Sequence, residues 1–163
     1  MLKAYSKFLD IIEFICRKII GILMAIMVVV MCYQVVLRYV FNSSNIWSEE
    51  ITRYMFVYVV LLGSFVAVRR SSHLQVDFLI NHLKGNVRKY FTIITTLVVL
   101  AFLIYLLPLS YNVAMGTMNS VSPGLNLPMG YVYLAIPIGT VFMILGIIEV
   151  LLKKITNTEE EEK

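Results

Sequence analysis

The feature that most constrains this chain is a tract, residues 90–148, that contains no Asp, Glu, Lys or Arg. A polar stretch rich in glycine and proline, residues 119–130, divides this tract into two apolar segments. A helix rises about 1.5 Å per residue, so each segment is long enough to cross the roughly 30 Å hydrocarbon core of a bilayer. We therefore predict two transmembrane spans here, at about residues 91–114 and 131–152.

The N-terminal half contains two more apolar segments. Residues 19–37 carry no charge, which predicts a first span over about 19–38. The apolar run 54–68 covers only about 22 Å as a helix, so we predict that the second span, 46–68, begins earlier and has a polar end. The composition agrees, because 60% of the residues are hydrophobic and the mean hydropathy is +0.83. The sequence thus predicts a single all-α integral membrane domain with four transmembrane helices.

Basic residues are unevenly distributed among the segments outside these spans. Four lie before the first span, five lie in the connection between spans two and three, and three lie in the charged tail, residues 153–163. The remaining two, Arg38 and Arg53, lie at the opposite ends of spans one and two. Because cytoplasmic segments retain positive charge, we predict that both termini are cytoplasmic. Charges placed in short connections are typical of a membrane surface, so no nucleic-acid partner is expected.

Two cytoplasmic segments have the apolar spacing of amphipathic helices. Residues 1–18 place Leu9 and Ile12 on one side and Asp10 and Glu13 on the other. Residues 72–89 form a similar pattern, with Asp77 suited to the start of a helix. Such helices lie along a membrane surface. The pattern fits anchoring to lipid and bracing of a partner subunit equally well.

Few side chains in the predicted spans could perform catalysis or couple an ion to transport. The only histidines, His73 and His82, lie in the cytoplasmic connection, whereas a haem-binding membrane cytochrome needs histidines within its spans. A metal site shared by these two is not expected either. Glu149 lies one turn from the end of span four, and Lys153 follows at i+4, which favours an interfacial ion pair over a coupling site. We predict no enzymatic activity and no cofactor in this chain.

One dense group of polar residues lies at the start of the second span. It comprises Trp47, Ser48, Glu49, Glu50 and Arg53, and Ser48 can cap the helix. Both glutamates complement the positive N-terminal end of the helix, and Glu49 precedes Arg53 by four residues, the favourable order for an ion pair. A well-formed helix start explains this group. A contact with another subunit explains it too, because charges at the membrane edge need partners.

Residues 34–78 also carry a series of short motifs. An Arg-aromatic pair ends span one, Trp-x-Glu-Glu precedes span two, Leu-Gly lies within it, and Ala-x-Arg, His and Val-Asp follow. The series resembles the small membrane subunit of tripartite ATP-independent periplasmic (TRAP) transporters; spans three and four match that family only in hydropathy and length. The candidate structural or subunit-interface residues are Arg38, Trp47, Glu49, Glu50, Arg53, Gly63, Arg69, His73 and Asp77.

The resemblance implies a non-catalytic transport subunit in the bacterial inner membrane. Its expected partners are a large membrane subunit, a periplasmic substrate-binding protein and membrane lipid. In this family a sodium gradient drives uptake of an organic acid, the large subunit holds the substrate and sodium sites, and the small subunit widens the fixed scaffold. The periplasmic segments 42–47 and 119–130 would then be where the binding protein docks.

Two further questions stay open at the level of sequence. The runs IWSEE, FVYV and VAVR are more similar to the sialic acid branch of the family than to the C4-dicarboxylate branch. From the residues alone, the chain could also be a stand-alone four-span carrier or channel, or an assembly subunit of another membrane complex. A stand-alone pathway would need polar residues aligned along a span interior, and spans one, three and four offer few.

Overall fold

The computed structural model describes residues 2–43, 45–70 and 86–161, with side chains described for 4–43, 45–70 and 93–153. This part of the chain is helical, apart from its connections and one isolated bridge between Val121 and Pro128. The prediction of an all-α protein is confirmed. The five helices are α1 (Leu2–Val40), α2 (Ile46–Arg70), α3 (Asn86–Gly116), α4 (Met129–Tyr133) and α5 (Ala135–Glu161).

Four helical stretches of the described chain are long and apolar enough to cross a membrane, which confirms the four predicted spans. The fourth stretch combines α4 and α5, which only Leu134 separates. This interruption comes just before Pro137, whose ring clashes with the carbonyl of Tyr133, four residues earlier. The stretches are Ala4–Val40, Ile46–Arg70, Ile93–Gly116 and Met129–Lys153.

The predicted amphipathic helix over residues 1–18 corresponds to the N-terminal end of α1. Helix α1 runs without interruption from Leu2 into the first span. Its 39 residues extend about 58 Å, nearly twice the roughly 30 Å thickness of the hydrocarbon. Glu13, expected on a polar outer face, is 9% exposed, because its carboxylate faces α2. The other predicted surface helix, 72–89, lies mostly outside the described residues.

Helix α5 is the central helix of the domain. It packs against α2 and α3, and α2 packs in turn against α1. In the fourth span, 44% of the residues in the most apolar stretch are buried within the domain, and in the first span only 6% are. The peripheral helices α1 and α3 therefore leave broad apolar surfaces for lipid or other subunits.

Two buried apolar groups hold the helices together. The first contains Cys16, Leu62 and Phe65, and the ring of Phe65 lies 5.6 Å, centroid to centroid, from that of Phe142 in α5. The second contains Leu103, Ile147 and Leu151, and it joins α3 to α5. Both groups include residues of α5 or pack against them, so burial of α5 ties the two sides of the domain together.

Candidate functional site: polar clusters at the two ends of α2

Arg69, at the C-terminal end of α2, lies at the centre of a buried group of charges. Its side chain is only 5% exposed. The Nε atom donates to Glu149 of α5 at 2.7 Å, and Nη1 donates to the Glu13 carboxylate at 2.7 Å and to the Leu9 carbonyl at 2.8 Å. Nη2 donates to Asp10 at 2.8 Å and to Glu149 at 3.1 Å. All five guanidinium N–H donors are thus directed at α1 and α5.

The two buried carboxylates that face Arg69 have further donors. Glu149, whose side chain is 2% exposed, accepts from the Ser6 hydroxyl at 2.7 Å and pairs with Lys153 at 2.7 Å. Glu13 pairs with Arg70 at 3.0 Å. Burying charges is costly unless each is paired and hydrogen-bonded, and here each is. We call Asp10, Glu13, Arg69, Glu149 and Lys153 the Arg69 cluster; it joins α1, α2 and α5.

The sequence predicted part of the Arg69 cluster. The i+4 pair of Glu149 and Lys153 is confirmed. Arg69 entered the prediction only through its motif, and its partners Glu13 and Glu149 were not foreseen. The sequence did contain a signal for the pair of Arg69 and Glu149. Arg69 lies at the end of span two and Glu149 near the end of span four, and both ends are predicted to be cytoplasmic. Charges at that depth need a counter-charge, so these two could have been paired.

Glu50, at the N-terminal end of α2, forms a second buried cluster with the loop 117–128, which connects α3 to α4. Its carboxylate is 7% exposed and accepts hydrogen bonds from the Ser122 hydroxyl, from the Gly124 N–H at 3.0 Å and from the Leu125 N–H at 3.1 Å. Successive backbone N–H groups turned toward one anion form a favourable binding concavity. We call Glu50, Ser122, Gly124 and Leu125 the Glu50 cluster.

The loop is shaped to fit this carboxylate. A Cβ atom added at Gly124 would lie 2.9 Å from Glu50 Oε2 and 3.1 Å from Ile46 Cγ2, so only glycine allows this approach. Asn126 has a φ of 52°, a left-handed conformation that asparagine tolerates better than most residues. The Ser122 N–H donates to the Leu127 carbonyl at 2.9 Å and closes the turn. Glu50 therefore fixes the loop against α2.

The structure separates the polar residues that the sequence grouped at the start of α2. Glu49 and Arg53 form the predicted i+4 pair, but at 3.7 Å and with side chains 64% and 68% exposed. Trp47 lies beside Tyr33 of α1, with ring centroids 6.2 Å apart. Glu50 and Ser48 are buried, and the Ser48 hydroxyl donates to the Asn45 carbonyl at 3.0 Å instead of capping the helix. Neighbouring glutamates thus have different surroundings, one inside the domain and one on its surface.

The remaining candidate residues do not join either cluster. Arg38 is exposed at the end of α1. A Cβ atom added at Gly63 would have no neighbour within 4 Å, so no helix in the described part of the chain approaches Gly63 closely. His73 and Asp77 lie outside the described residues. Their assigned roles stay predictions.

These observations define a class: a four-span helical membrane protein whose buried charges join its own helices. Residues 27–157 match the sequence model of the family described as tripartite ATP-independent periplasmic transporters, DctQ component. The chain belongs to this family, as its motifs predicted. The family is a non-catalytic transport component of the inner membrane, which confirms the predicted lack of enzymatic activity and the predicted location.

Named relatives cover both substrate branches. The small permease protein SiaQ of a Vibrio cholerae sialic acid TRAP transporter is 29% identical over 122 residues, 75% of this chain and 70% of that protein. The small permease protein DctQ of a V. cholerae C4-dicarboxylate TRAP transporter is 36% identical over 107 residues, 66% of this chain but 45% of that protein. A 57-residue stretch is 47% identical to the sialic acid TRAP transporter permease protein SiaT of Haemophilus influenzae, 35% of this chain and 9% of SiaT.

Proposed function

We propose that this chain is the small scaffold subunit of a sodium-driven TRAP transporter that imports an organic acid. It pairs with a large membrane subunit, which carries the substrate and sodium sites, and the complex receives substrate from a periplasmic binding protein. One observation carries this proposal. Helix α2 is held at both ends by buried charges, Arg69 at one end and Glu50 at the other.

A scaffold beside a moving subunit has to resist displacement, and the two clusters supply that resistance. Arg69 directs all its donors at α1 and α5, and Glu50 ties α2 to the loop 117–128. Within the described part of the chain, every buried side-chain nitrogen or oxygen has a hydrogen-bond partner. Groups saturated in this way are poorly suited to bind and release an ion in each cycle. This supports placing the transport chemistry in the large subunit.

The direct test is reconstitution with the large subunit and the binding protein. We expect a stable complex in detergent and sodium-dependent uptake of an organic acid into proteoliposomes that contain all three proteins. Omission of this chain should abolish uptake, whereas this chain alone should transport nothing. Uptake by this chain alone would overturn the proposal.

For the substrate, we favour sialic acid over a C4-dicarboxylate. The support is the likeness of IWSEE, FVYV and VAVR to the sialic acid branch. The relative named for sialic acid matches over 122 residues and the relative named for C4-dicarboxylates over 107 residues. These two matches do not decide between the substrates. In the reconstituted system, unlabelled sialic acid should compete with labelled sialic acid, and succinate should not. Uptake of labelled succinate but not of sialic acid would contradict this choice.

We further propose that the loop 117–128 contacts the binding protein. This proposal is supported by the shape of the loop. Glu50 holds the loop in place, and the loop exposes the apolar side chains of Val121 (57% exposed) and Leu127 (47% exposed). Serine at both positions should reduce uptake that depends on the binding protein, while the membrane complex still forms. Uptake equal to that of the wild type, at limiting binding protein, would count against this contact.

A further inference from the structure

Two arginines on different helices converge on one oxygen atom beside the Arg69 cluster. Arg17 of α1 places its Nε atom 3.5 Å from Glu13 Oε1, and Arg70 of α2 places its Nε atom 3.0 Å from the same oxygen. The other oxygen of this carboxylate, Oε2, accepts from Arg69 at 2.7 Å. A single carboxylate therefore holds two further guanidinium groups side by side. We call Arg17 and Arg70 the arginine pair.

The arginine pair directs only part of its hydrogen-bonding capacity at Glu13. Each guanidinium group approaches the carboxylate through Nε, and a guanidinium group carries further N–H donors on Nη1 and Nη2. The side chains of Arg17 and Arg70 are 46% and 59% exposed, whereas that of Glu13 is 12% exposed. The pair therefore presents two cations at the surface where α1 meets α2, above a buried carboxylate.

The charges around the arginine pair do not balance. Glu13 contacts three arginines, and Glu149 contacts both Arg69 and Lys153, so these carboxylates are already shared. Among the described residues, this ion-paired network joins four basic side chains, Arg17, Arg69, Arg70 and Lys153, to three acidic ones, Asp10, Glu13 and Glu149. Like charges held this close repel each other, so a further anion beside the pair would stabilise it.

The arginine pair lies where the apolar parts of two spans end. Arg17 comes two residues before the uncharged run 19–37, and Arg70 comes two residues after the apolar run 54–68. At about 1.5 Å per residue, both lie about 3 Å beyond the apolar ends of their helices. Their shared contact with Glu13 places the two ends at one level. This level is that of the lipid headgroups, on the side predicted to be cytoplasmic.

We propose that the arginine pair binds the headgroup phosphate of an anionic phospholipid. Guanidinium groups match the oxygens of a phosphate with paired N–H donors. Basic sites between transmembrane helices on the cytoplasmic side bind acidic headgroups in this way. The excess positive charge favours a lipid with a net negative charge over a zwitterionic lipid, because the latter would bring a cation of its own. The headgroup layer supplies phosphate at this level without any partner protein.

The surface of α1 next to the arginine pair can accept an acyl chain. Gly21 and Met24 follow Arg17 by four and seven residues and therefore lie on the same side of α1. A Cβ atom added at Gly21 would have no neighbour within 4 Å, and Met24 is 46% exposed. A lipid held by its phosphate can therefore place a chain along an open apolar surface. A free phosphate ion would gain nothing from this surface.

The test measures lipid binding by the purified full-length chain in detergent micelles. Phosphatidylglycerol or phosphatidylcholine is titrated, and bound lipid per chain is counted by native mass spectrometry. We expect phosphatidylglycerol to bind at least about tenfold more tightly. The double variant Arg17→Gln with Arg70→Gln should bind phosphatidylglycerol about thirtyfold more weakly, since each basic residue at a lipid surface contributes roughly fivefold. The matched control is Arg38→Gln with Arg53→Gln, at the opposite ends of the same helices, and it should change binding less than about twofold.

A second double variant separates binding from folding. Arg17→Lys with Arg70→Lys keeps both charges beside Glu13 but removes the paired donors, so it should bind with intermediate affinity. Equal affinities of the arginine-pair and control glutamine variants, or of phosphatidylglycerol and phosphatidylcholine, would overturn the proposal.

Two further measurements identify the source of the anion. Inorganic phosphate should displace phosphatidylglycerol only weakly, because it has no acyl chain; binding of inorganic phosphate as tight as that of the lipid would assign the pair to a free anion instead. The complex with the large subunit should retain the bound phosphatidylglycerol. Its loss from the complex would show that a protein group occupies the arginine pair and would overturn the lipid assignment.

Discussion

Replacement of Arg69 by methionine removes the charge that joins three helices while roughly preserving side-chain length. Five hydrogen bonds to three carboxylates and one carbonyl are lost. Breaking a buried ion pair by removing one partner costs about 3–5 kcal/mol. The lower end applies here, because Glu149 keeps Lys153 and Ser6, and Glu13 keeps Arg70. We expect the free energy of unfolding to fall by about 3 kcal/mol.

The assay is reversible unfolding of the purified chain in mixed micelles, followed by circular dichroism. Arg53→Met is the matched control, since its ion pair is exposed and should contribute less than about 1 kcal/mol. The double variant Arg69→Met with Glu149→Gln should lose less than the sum of the single losses, because the two residues share contacts. Equal stability of Arg69→Met and Arg53→Met would show that the Arg69 cluster does not hold α1, α2 and α5 together.

Three further predictions concern the Glu50 cluster and helix packing. Glu50→Gln should weaken the loop contact by about 1–3 kcal/mol, since a buried charged acceptor is lost, and limited proteolysis should then cut residues 117–128 faster than in the wild type. Gly124→Ala should destabilise by about 1–3 kcal/mol because its Cβ meets Glu50, whereas Gly116→Ala, with no atom within 4 Å, should not; equal unfolding midpoints would contradict this. Gly139→Ala should push α2 away from α5 and lower the stability of the chain, because the new Cβ would lie 2.8 Å from a leucine Cβ of α2. Gly21→Ala is the control and should be neutral or stabilising by up to about 1 kcal/mol in the same unfolding assay.

The two glutamates at the start of α2 suggest how to separate assembly from stability. Glu50 holds the loop 117–128, so its replacement should lower the stability of the isolated chain. Glu49 is 64% exposed and pairs with the exposed Arg53, so its replacement should affect pairing with the large subunit instead. A double replacement of both glutamates would mix these effects, and single variants are therefore the informative ones.

Sequence alone determined the four spans, because the roughly 30 Å hydrocarbon requires long apolar helices and four stretches of the chain supply them, the second with a charged end. It also determined the i+4 pairs Glu49 with Arg53 and Glu149 with Lys153, since residues one turn apart are neighbours in any helix. The family followed from local motifs, which likewise need no knowledge of tertiary contacts.

Only the tertiary structure decided which charges meet across helices. Arg69 contacts residues 56 and 80 positions away in the chain, and hydropathy carries no information on which spans are neighbours. The surroundings of Glu49 and Glu50 also depended on packing, because consecutive residues of a helix point about 100° apart and the position of the loop 117–128 decides which of them is covered. The same covering explains why Gly124 has no room for a side chain.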